Sequence, residues 1–588
     1  PFAPKTPRAS VRGSVQWTVS MALALIAVAA VLAFNLGGYP LIEPDEGRNA
    51  EVAREMAETN NYVLPHLNGL PYLDKPVVFF AAAAAILEVL EPDEFAARLA
   101  SFLFGLATAL LVGWFAARRI DAEAGWVAAM ATLTAPLMVG LSRTVIMDTT
   151  TSFFVVLALI SLFQAIDIRA QHREHRADGP PWLRWTLLAW GAMALGVLTK
   201  GPVALAVPLL VAAPYAVWRR ASRAVWHPLG LVVLVGIVAP WVWAVSQEIP
   251  NFLHYVVVTE TWARMTSDEL KRTEPIWFFL PVILAGSFPW WILAAAGAKS
   301  RARDLRLQRD PARVYLWLWL VVPLVFFSLS RGKQEQYVLP LVPAIALLVA
   351  TAWSERPQGV RAAAVCWGIF GAILIGAVLY GLPGLDSDRV PLDVAIRAAA
   401  GIGIVALTGG AVAWFAAPSR RRLAVVGLSL PLVGIPVAAA PVLEVVAESR
   451  SARGLARAVE PHIGPETELL WVESYAAGLS YYLRRTIPVA SVDGDEFRSN
   501  YILRNSEVFL DDAGLLRPLA SAERAVEECS GDQIFLLGTG SRDLGDVIEA
   551  SGIEQLTESR RWMAFGPDCV VDVEISSSAV PDDVEGVD

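Results

Sequence analysis

Residues 183–218 read LRWTLLAWGAMALGVLTKGPVALAVPLLVAAPYAVW. This stretch holds two apolar runs, 183–199 and 201–218, which only Lys200 separates. A helix needs about 20 apolar residues to cross the hydrocarbon core of a bilayer, and both runs approach that length. They predict two consecutive membrane-spanning helices, and therefore a membrane protein.

The rest of the chain extends this pattern. Of its 588 residues, 55% are hydrophobic and 18% are charged, whereas soluble globular proteins carry about 25% charged residues. This balance is typical of a polytopic membrane protein and excludes a soluble enzyme, a disordered protein and a nucleic-acid binder. We predict 13 membrane-spanning helices, at 15–38, 96–117, 123–142, 149–168, 183–199, 201–218, 225–246, 276–298, 314–330, 336–353, 361–382, 394–417 and 423–445.

The basic residues orient these helices, because short loops rich in Arg and Lys stay on the cytoplasmic side of a membrane. If the shorter apolar segment 77–90 crossed the membrane, Arg118, Arg119 and every later basic loop would face outward. We therefore interpret 77–90 as a juxtamembrane or re-entrant helix. The odd number of crossings predicts an extracytoplasmic C-terminus. The same external side then includes 39–76, 147–148, Lys200, 247–275 and 331–336.

Residues 451–588 differ in composition from the membrane part. They contain 11 Arg, no Lys and 26 Asp and Glu, a net charge of −15, whereas the preceding part carries a net +6. Strand-like and helix-like stretches alternate here, which predicts a small α/β domain. Cys529 and Cys569 either form one disulfide or stay as two thiols. The predicted organisation is a transmembrane domain at 1–450, an extracytoplasmic α/β domain at 451–575 and a disordered acidic tail at 576–588.

Charged residues at the predicted membrane boundary are candidates for function, since ionisable groups at membrane depth are costly. In the first external loop, Asp45, Arg48 and Asn49 are spaced to share one face of a helix. A capped, solvated amphipathic helix explains the same spacing. Asp74 and Lys75 form an acid–base pair between two prolines, where Lys75 could instead act as an interfacial anchor.

Two further charges lie between apolar runs. A purely structural role, capping the helix that follows, would also explain Asp148. Lys200 lies in a very short turn on the predicted external side and needs an anionic partner. Arg331 and Lys333 add two cations on this side, against the usual charge distribution. Cations in this position indicate a bound anion. Phosphate is the natural candidate, because both Lys and Arg bind it.

Carboxylates and cations therefore meet on the predicted external face. Such a set suits transfer of a group from a phosphorylated lipid, because cations neutralise the departing phosphate while a carboxylate activates or orients the acceptor. Two rival interpretations stay open: a polyprenyl-lipid carrier or flippase without chemistry, and a non-enzymatic assembly scaffold. The carboxylates are Asp45, Glu46, Asp74, Asp148 and Glu260, and the cations are Arg48, Lys75, Lys200, Arg264, Arg331 and Lys333.

Several motifs occur in a fixed order along residues 15–353: PDEGR (44–48), DKP (74–76), RLAS (98–101), MD (147–148), LTKGP (198–202), FPWW (288–291) and KQEQYVLP (333–340). In this order they resemble the polyprenyl-phosphate-sugar-dependent glycosyltransferases of the GT-C superfamily. The resemblance is to the group of aminoarabinose lipid A transferases and protein O-mannosyltransferase-like enzymes.

This resemblance implies an inverting displacement at the anomeric carbon on the external side of a bacterial inner membrane. A polyprenyl phosphate such as undecaprenyl phosphate would leave, and the acceptor would be a lipid A-like glycolipid, a protein or a glycan. Asp45 would be the central catalytic carboxylate, and Asp148 a second acid near the reaction centre. Around the donor phosphate or acceptor would lie Arg48, Lys75, Lys200, Lys333 and Tyr337, to which the external face adds Glu46, Asp74, Glu260, Arg264 and Arg331.

Two positions depart from the family pattern. The acid before Lys75 is Asp74, where aminoarabinose transferases typically have Glu, and Glu260 is followed by Thr261 rather than by a metal-associated His. We interpret the nearby His254 as an interfacial residue. We therefore expect no required cofactor and leave a divalent metal open as an alternative. The expected partners are the donor lipid, the acceptor and the bilayer, and we expect a monomer.

Overall fold

The contacts within the computed structural model divide the chain into two compact units. The membrane unit comprises residues up to 40, 52–65 and 73–447, and the C-terminal unit comprises 41–51, 66–72 and the chain from 448 onward. The structure describes residues 11–175, 181–255, 274–301, 310–330, 332–355, 359–381, 390–511, 513–528, 532–540, 545, 548–549 and 553–569.

The membrane unit consists almost entirely of helices, since a helix satisfies its backbone hydrogen bonds internally and an apolar environment offers no other partners. Ser222–Ala224 and Glu335–Leu341 are 3₁₀-helices. The α-helices are Val11–Ala33, Asp45–Thr59, Val78–Leu87, Glu94–Arg119, Ala122–Leu133, Pro136–Leu141, Asp148–His175, Leu183–Lys200, Val203–Trp218, Pro228–Glu248, Phe252–His254, Phe279–Gly286, Trp290–Arg301, Pro311–Leu329, Val342–Glu355, Val360–Tyr380, Leu392–Ala416, Arg421–Ala438 and Ala440–Glu448, of which Asp45–Thr59 begins in the C-terminal unit.

Among the described residues, eight helices are long and apolar enough to cross a membrane. A ninth span results if the two helices that meet near Pro289 at an angle of 104° are counted as one. The segment 77–90 contains the ten-residue helix Val78–Leu87. A polytopic helical fold is therefore confirmed. The predicted number of 13 crossings is not confirmed and stays a prediction.

The structure corrects four of the predicted spans, which are not continuous α-helices. The span at 123–142 is interrupted after Leu133, and the next helix begins at Pro136, whose ring suits a first helical position but cannot donate a backbone hydrogen bond. The span at 336–353 begins as a 3₁₀-helix through Leu341. The other two interruptions lie at Ser287–Pro289, within 276–298, and at Ala439, within 423–445.

The C-terminal unit is built on a six-stranded mixed sheet with helices in its connections. Its strands are β3 (Glu468–Val472), β4 (Val489–Ser491), β5 (Leu516–Pro518), β6 (Gln533–Gly538), β7 (Ile553–Glu558) and β8 (Trp562–Cys569). Their order in the sheet is β5–β4–β3–β6–β8–β7. The first four strands in this order are parallel, whereas β8 is antiparallel to both of its neighbours.

Three of the four parallel strands, β3, β4 and β6, are almost fully buried, as expected for strands covered on both faces. The prediction of a C-terminal α/β fold is confirmed. The limits predicted for the domains stay predictions, and the proposed Cys529–Cys569 disulfide and the tail at 576–588 involve positions outside the described residues. The helices are Arg453–Val459, Glu460–His462 (3₁₀), Ala477–Leu483, Asp495–Phe497 (3₁₀), Asn500–Arg504, Ser506–Phe509 and Leu519–Glu528.

Two segments of the first predicted external loop belong to the C-terminal unit. Residues 66–72 form a short hairpin, β1 (His66–Leu67) and β2 (Leu70–Pro71). The buried Asn68 amide at its tip donates to the carbonyl of Ile487 and accepts from the N–H of the same residue, each at 2.8 Å. The Leu41 N–H donates to the Tyr482 hydroxyl at 2.9 Å. Sequence-distant residues therefore complete this unit.

Candidate active site

Asp148 and Lys200 form an ion pair at the ends of two helices of the membrane unit. Asp148 is the first residue of Asp148–His175, and Lys200 is the last residue of Leu183–Lys200. The side chain of Asp148 is 6% exposed and that of Lys200 is 14% exposed. Charges this deeply buried require a partner. The sequence predicted that Lys200 needs an anionic partner, and in the structure Asp148 provides it.

Tyr337 joins this pair through its ring. The Lys200 ammonium lies 5.0 Å from the ring centroid of Tyr337, within the range of a cation–π interaction. The same ring packs against Phe279 and Phe327, with centroid distances of 6.4 and 5.7 Å. Three residues from separate sequence motifs thus form one electrostatic group, which we call the Lys200 group: Asp148, Lys200 and Tyr337.

Two further predicted cations of the membrane unit, Lys333 and Lys75, have polar partners of their own. The Lys333 ammonium is largely buried and donates to the carbonyl of Ser330 at 2.6 Å. Lys75 donates to the carbonyl of Asp74 at 2.7 Å. The carboxylate of Asp74 accepts a hydrogen bond from the buried hydroxyl of Tyr255 at 3.2 Å. Asp74 is therefore part of a built polar contact rather than a solvated surface charge.

Asp45 and Arg48 lie in the C-terminal unit, at the first turn of helix Asp45–Thr59. Arg48 donates to the Asp45 carboxylate at 2.6 Å and to the backbone carbonyl of Arg498 at 3.1 Å. The Asp45 side chain is 72% exposed, so it is accessible to a reactant. Glu46 is buried, and its carboxylate accepts a hydrogen bond from the N–H of Ile42 at 3.0 Å, which ties the loop before the helix to its first turn.

Glu43 lies immediately before this motif and is buried within the C-terminal unit. Its carboxyl group accepts a hydrogen bond from the Gly478 N–H at 2.6 Å. Burial raises the pKa of Glu43 to about 8, although the Gly478 hydrogen bond and the charges of Arg48 and Arg561 act in the opposite direction. A neutral carboxyl group at physiological pH is the consequence.

The structure thus gathers some of the predicted site residues and leaves others undescribed. Asp148, Lys200 and Tyr337 meet in the membrane unit, and Asp45 meets Arg48 in the C-terminal unit. Within the part of the chain that the structure describes, no group of three or more His, Cys, Asp or Glu side chains could hold a metal ion. His254 is exposed. Glu260, Arg264 and Arg331 lie outside the described residues.

Two residues of these contacts were not selected from the sequence. Tyr255 follows His254 at a helix end and carries no charge, so no sequence rule singles it out. Glu43 precedes Pro44 in a loop that is rich in acids, where a solvated carboxylate is the ordinary expectation. A signal for Glu43 did exist in Gly47, four residues further on, because a glycine in the first turn of a helix is unusual without a packing reason.

Comparison with known proteins agrees with the resemblance. Residues 48–256 match the family of dolichyl-phosphate-mannose-protein mannosyltransferases. The undecaprenyl phosphate-alpha-4-amino-4-deoxy-L-arabinose arabinosyl transferase of Pectobacterium atrosepticum is 28% identical, over 92% of this chain and 96% of the relative. The transferase of the same description from Erwinia tasmaniensis is 33% identical, over 53% of this chain and 55% of the relative.

A solved structure is similar over nearly the whole chain. ArnT from Cupriavidus metallidurans, crystallised with undecaprenyl phosphate, superposes with a TM-score of 0.79 at 25% identity, over 94% of this chain and 98% of ArnT. These relatives are transferases, so the carrier alternative finds no support here. The chain is a multi-pass membrane glycosyltransferase, similar over nearly its whole length to the aminoarabinose transferases.

Proposed function

We propose that this enzyme transfers a 4-amino-4-deoxy-arabinose residue from undecaprenyl phosphate to a lipid A-like glycolipid. The nearly full-length similarity to the Pectobacterium transferase and to ArnT with bound undecaprenyl phosphate supports this donor. The structural observation on which the proposal rests is the Lys200 group, in which a mostly buried ammonium is held at the end of a membrane helix.

In the proposed reaction, an oxygen atom of the acceptor forms a bond to the anomeric carbon of the sugar with inversion. The bond from that carbon to the phosphate oxygen breaks, and its electron pair stays on the departing undecaprenyl phosphate. Negative charge therefore grows on the phosphate as the reaction proceeds. A fixed cation at this position stabilises the transition state more than the ground state.

Each of these residues has a proposed role of its own. Lys200 neutralises the departing phosphate, and Asp148 acts near the reaction centre by orienting the Lys200 ammonium. If the acceptor is a hydroxyl group, the Asp45 carboxylate takes its proton; if it is an ionised phosphate, no base is required and Asp45 positions the acceptor. Donor and acceptor contacts are assigned to Glu46, Arg48, Asp74, Lys75, Glu260, Arg264, Arg331, Lys333 and Tyr337.

The reaction is proposed to take place on the extracytoplasmic side of the bacterial inner membrane. The distribution of basic loops supports this orientation, since it places the motif segments opposite the Arg-rich loops. We propose that a monomer suffices. No required cofactor is proposed.

The test is transfer by the purified chain in lipid vesicles that contain undecaprenyl-phosphate-linked aminoarabinose. The acceptors are lipid A, dephosphorylated lipid A, an unfolded protein and a glycan, and the products are measured by mass spectrometry. We expect lipid A to gain the mass of one aminopentose. A product with dephosphorylated lipid A would identify a hydroxyl group as the acceptor. Modification of the protein or glycan alone would overturn the assignment of lipid A as the acceptor. Donor movement across the bilayer without product would overturn the proposal.

A further inference from the structure

Glu43 is held at both its backbone and its side chain within the C-terminal unit. Its N–H donates to the carbonyl of Arg450 at 3.0 Å. Its carboxyl oxygen accepts from the Gly478 N–H at 2.6 Å. The side chain is also buried. A residue with these contacts has little freedom, and Pro44 and Asp45 follow it directly in the chain.

Two glycines make the space that the Glu43 carboxyl group occupies. A β-carbon added to Gly47 would lie 2.1 Å from Glu43 Oε1, and one added to Gly478 would lie 2.3 Å from the same atom. Neither glycine has the positive φ that would by itself require glycine. The absence of a side chain at Gly47 and Gly478 is therefore explained by the room that the carboxyl group of Glu43 needs.

The contact between Glu43 and Gly478 lies in the connection that follows the carboxyl end of β3. Sheets with parallel strands commonly bind ligands at this end of their strands. Gly478 is in the helix that follows β3, and the chain continues from β3 to β4 on one side and returns later as β6 on the other. In open parallel sheets this reversal of strand order creates a crevice at the carboxyl ends of the strands. In this chain, the carboxyl group of Glu43 binds the connection that leaves β3.

Arg48 provides a second link between the same turn and the sheet. Its guanidinium donates to the carbonyl of Arg498, in the segment that follows β4, and at the same time to the Asp45 carboxylate. Glu43 before Asp45 and Arg48 after it therefore join the turn of Asp45 to the connections that leave β3 and β4.

We propose that Glu43 is a positioning residue for sugar transfer, which fixes the turn of Asp45 and Arg48 to the strand ends of the C-terminal unit. The inference rests on the proposed function, in which Asp45 acts on the acceptor. It gives the C-terminal unit a direct part in the reaction, as the support of the Asp45 turn.

The test compares Glu43→Ala and Gly478→Ala with Gly454→Ala. Gly454 is a matched control because it also lies in a helix of the C-terminal unit, and a β-carbon there meets nothing within 4 Å. For Glu43→Ala and Gly478→Ala we expect kcat to fall by about tenfold to a hundredfold, as small misplacements of reacting groups do, with the donor KM unchanged. The double variant should be no slower than Glu43→Ala alone, because removing the carboxyl group makes room for the new methyl group.

Glu43→Gln separates a positioning role from a merely structural one. The Gln side chain keeps a hydrogen-bond acceptor for the Gly478 N–H and resembles the neutral carboxyl group. We therefore expect Glu43→Gln to recover most of the rate at about pH 6.5. Above about pH 8, ionisation of Glu43 should lower kcat in the wild type, and Glu43→Gln should not show this decline. The charged groups that face Glu43 are Arg48, Arg561 and Glu46. If Glu43→Ala does not fold, the rates of Gly478→Ala and Glu43→Gln decide whether Glu43 has the positioning role.

The outcomes distinguish this inference from the proposed function. Wild-type rates in Glu43→Ala and Gly478→Ala, together with an inactive Asp45→Asn, would overturn the positioning role alone. Wild-type turnover in Asp45→Asn would overturn the proposed function itself. A loss of rate in Gly454→Ala equal to that in Gly478→Ala would also overturn the inference, because the effect would then not depend on Glu43.

Discussion

At the scale of single residues, Lys200 shows how the chain tolerates a charge beside long apolar helices. An ammonium removed from water is costly unless it is paired, and here Asp148 and the ring of Tyr337 both contact it. In the proposed reaction the same arrangement presents a fixed positive charge to the departing phosphate. We therefore propose that the Lys200 group contributes to both stability and function.

Replacing one member of the Asp148–Lys200 pair should cost both activity and stability. Lys200→Met and Asp148→Asn should each lower kcat by about a hundredfold or more and destabilise the membrane unit by about 3–5 kcal/mol, because the other charge is left buried without its partner. The double variant should be less destabilised than the sum of the two single variants. Thermal unfolding in detergent and transfer assays measure these effects.

The control pair is Asp393 and Arg397, a salt bridge whose two side chains are 69% and 70% exposed. Arg397→Met and Asp393→Asn should change stability by no more than about 0.5 kcal/mol and leave transfer unaffected. Equal losses in the exposed and buried pairs, or full activity in Lys200→Met, would contradict the role given to the Lys200 group.

Glu43 should make the stability of the C-terminal unit depend on pH. Burial raises its pKa from 4.5 to about 8, so the folded state binds a proton that the unfolded state has released at pH values between these limits. The stability that protonated Glu43 contributes is therefore fully present below about pH 4.5. This contribution falls as the pH rises to about 8, by at most about 1.4 kcal/mol per pH unit. Glu43→Gln should remove this component.

Melting temperatures measured across this pH range, with protection of the C-terminal unit from proteolysis as a second readout, test the prediction. The comparison is between the wild type and Glu43→Gln, since other groups titrate equally in both. Parallel pH profiles for the two proteins would show that Glu43 does not titrate in this range.

The sequence predicted which charges of the site are unusual, but not how they pair. Lys200 stands out because a turn between two apolar runs offers it no solvated loop. Its partner Asp148 is 52 positions away along the chain, and only the packing of their two helices brings them together. Glu43 was missed for the opposite reason, because a Glu in an acidic loop looks solvated until residue 478 is known to lie against it.

At the scale of elements, hydropathy located the helices well but not their interruptions. The predicted span at 276–298 is two helices that meet at 104°, and a window of apolar residues gives no signal for such a bend. Short or half-exposed strands give an equally weak signal. Ile553–Glu558 has only its first residue buried, and Leu516–Pro518 is three residues long, so neither has the apolar run by which a buried strand is recognised.

Close packing of two C-terminal membrane helices should depend on Gly371. A β-carbon at this position would lie 2.7 Å from the carbonyl oxygen of Gly403 in helix Leu392–Ala416, and small residues allow membrane helices to approach this closely. Gly371→Ala should destabilise the membrane unit by about 1–3 kcal/mol.

Gly376→Ala is the matched control, because it lies in the same helix, Val360–Tyr380, and a β-carbon there meets nothing within 4 Å. Thermal unfolding in detergent should show a lower midpoint for Gly371→Ala and an unchanged one for Gly376→Ala. Equal midpoints for the two variants would contradict the packing argument.

At the scale of the whole molecule, the contrast between a net +6 before residue 451 and a net −15 after it accompanies a division into a helical membrane part and an α/β part. Composition predicted this contrast of fold classes. It could not predict that residues 41–51 and 66–72 complete the C-terminal unit, because such long-range contacts depend on the folded chain.

The predicted orientation can be tested by labelling with a membrane-impermeant maleimide. In a parent chain whose three native cysteines are replaced by serine, Val508→Cys lies at an exposed position of the C-terminal unit, and Ser419→Cys lies at an exposed position beside a predicted cytoplasmic loop. We expect Val508→Cys to react in intact cells and Ser419→Cys only after permeabilisation. The reverse pattern, or reaction of both from one side, would contradict the proposed orientation.

The central claim is that this enzyme moves a sugar from undecaprenyl phosphate to its acceptor through Asp45. The most direct measurement quantifies free undecaprenyl phosphate and sugar-modified lipid A in the same vesicles, for the wild type and for Asp45→Asn. We predict equal amounts of the two products from the wild type and neither product from an Asp45→Asn protein that is still correctly inserted. Unchanged turnover by Asp45→Asn, or release of undecaprenyl phosphate without a modified acceptor, would contradict the claim.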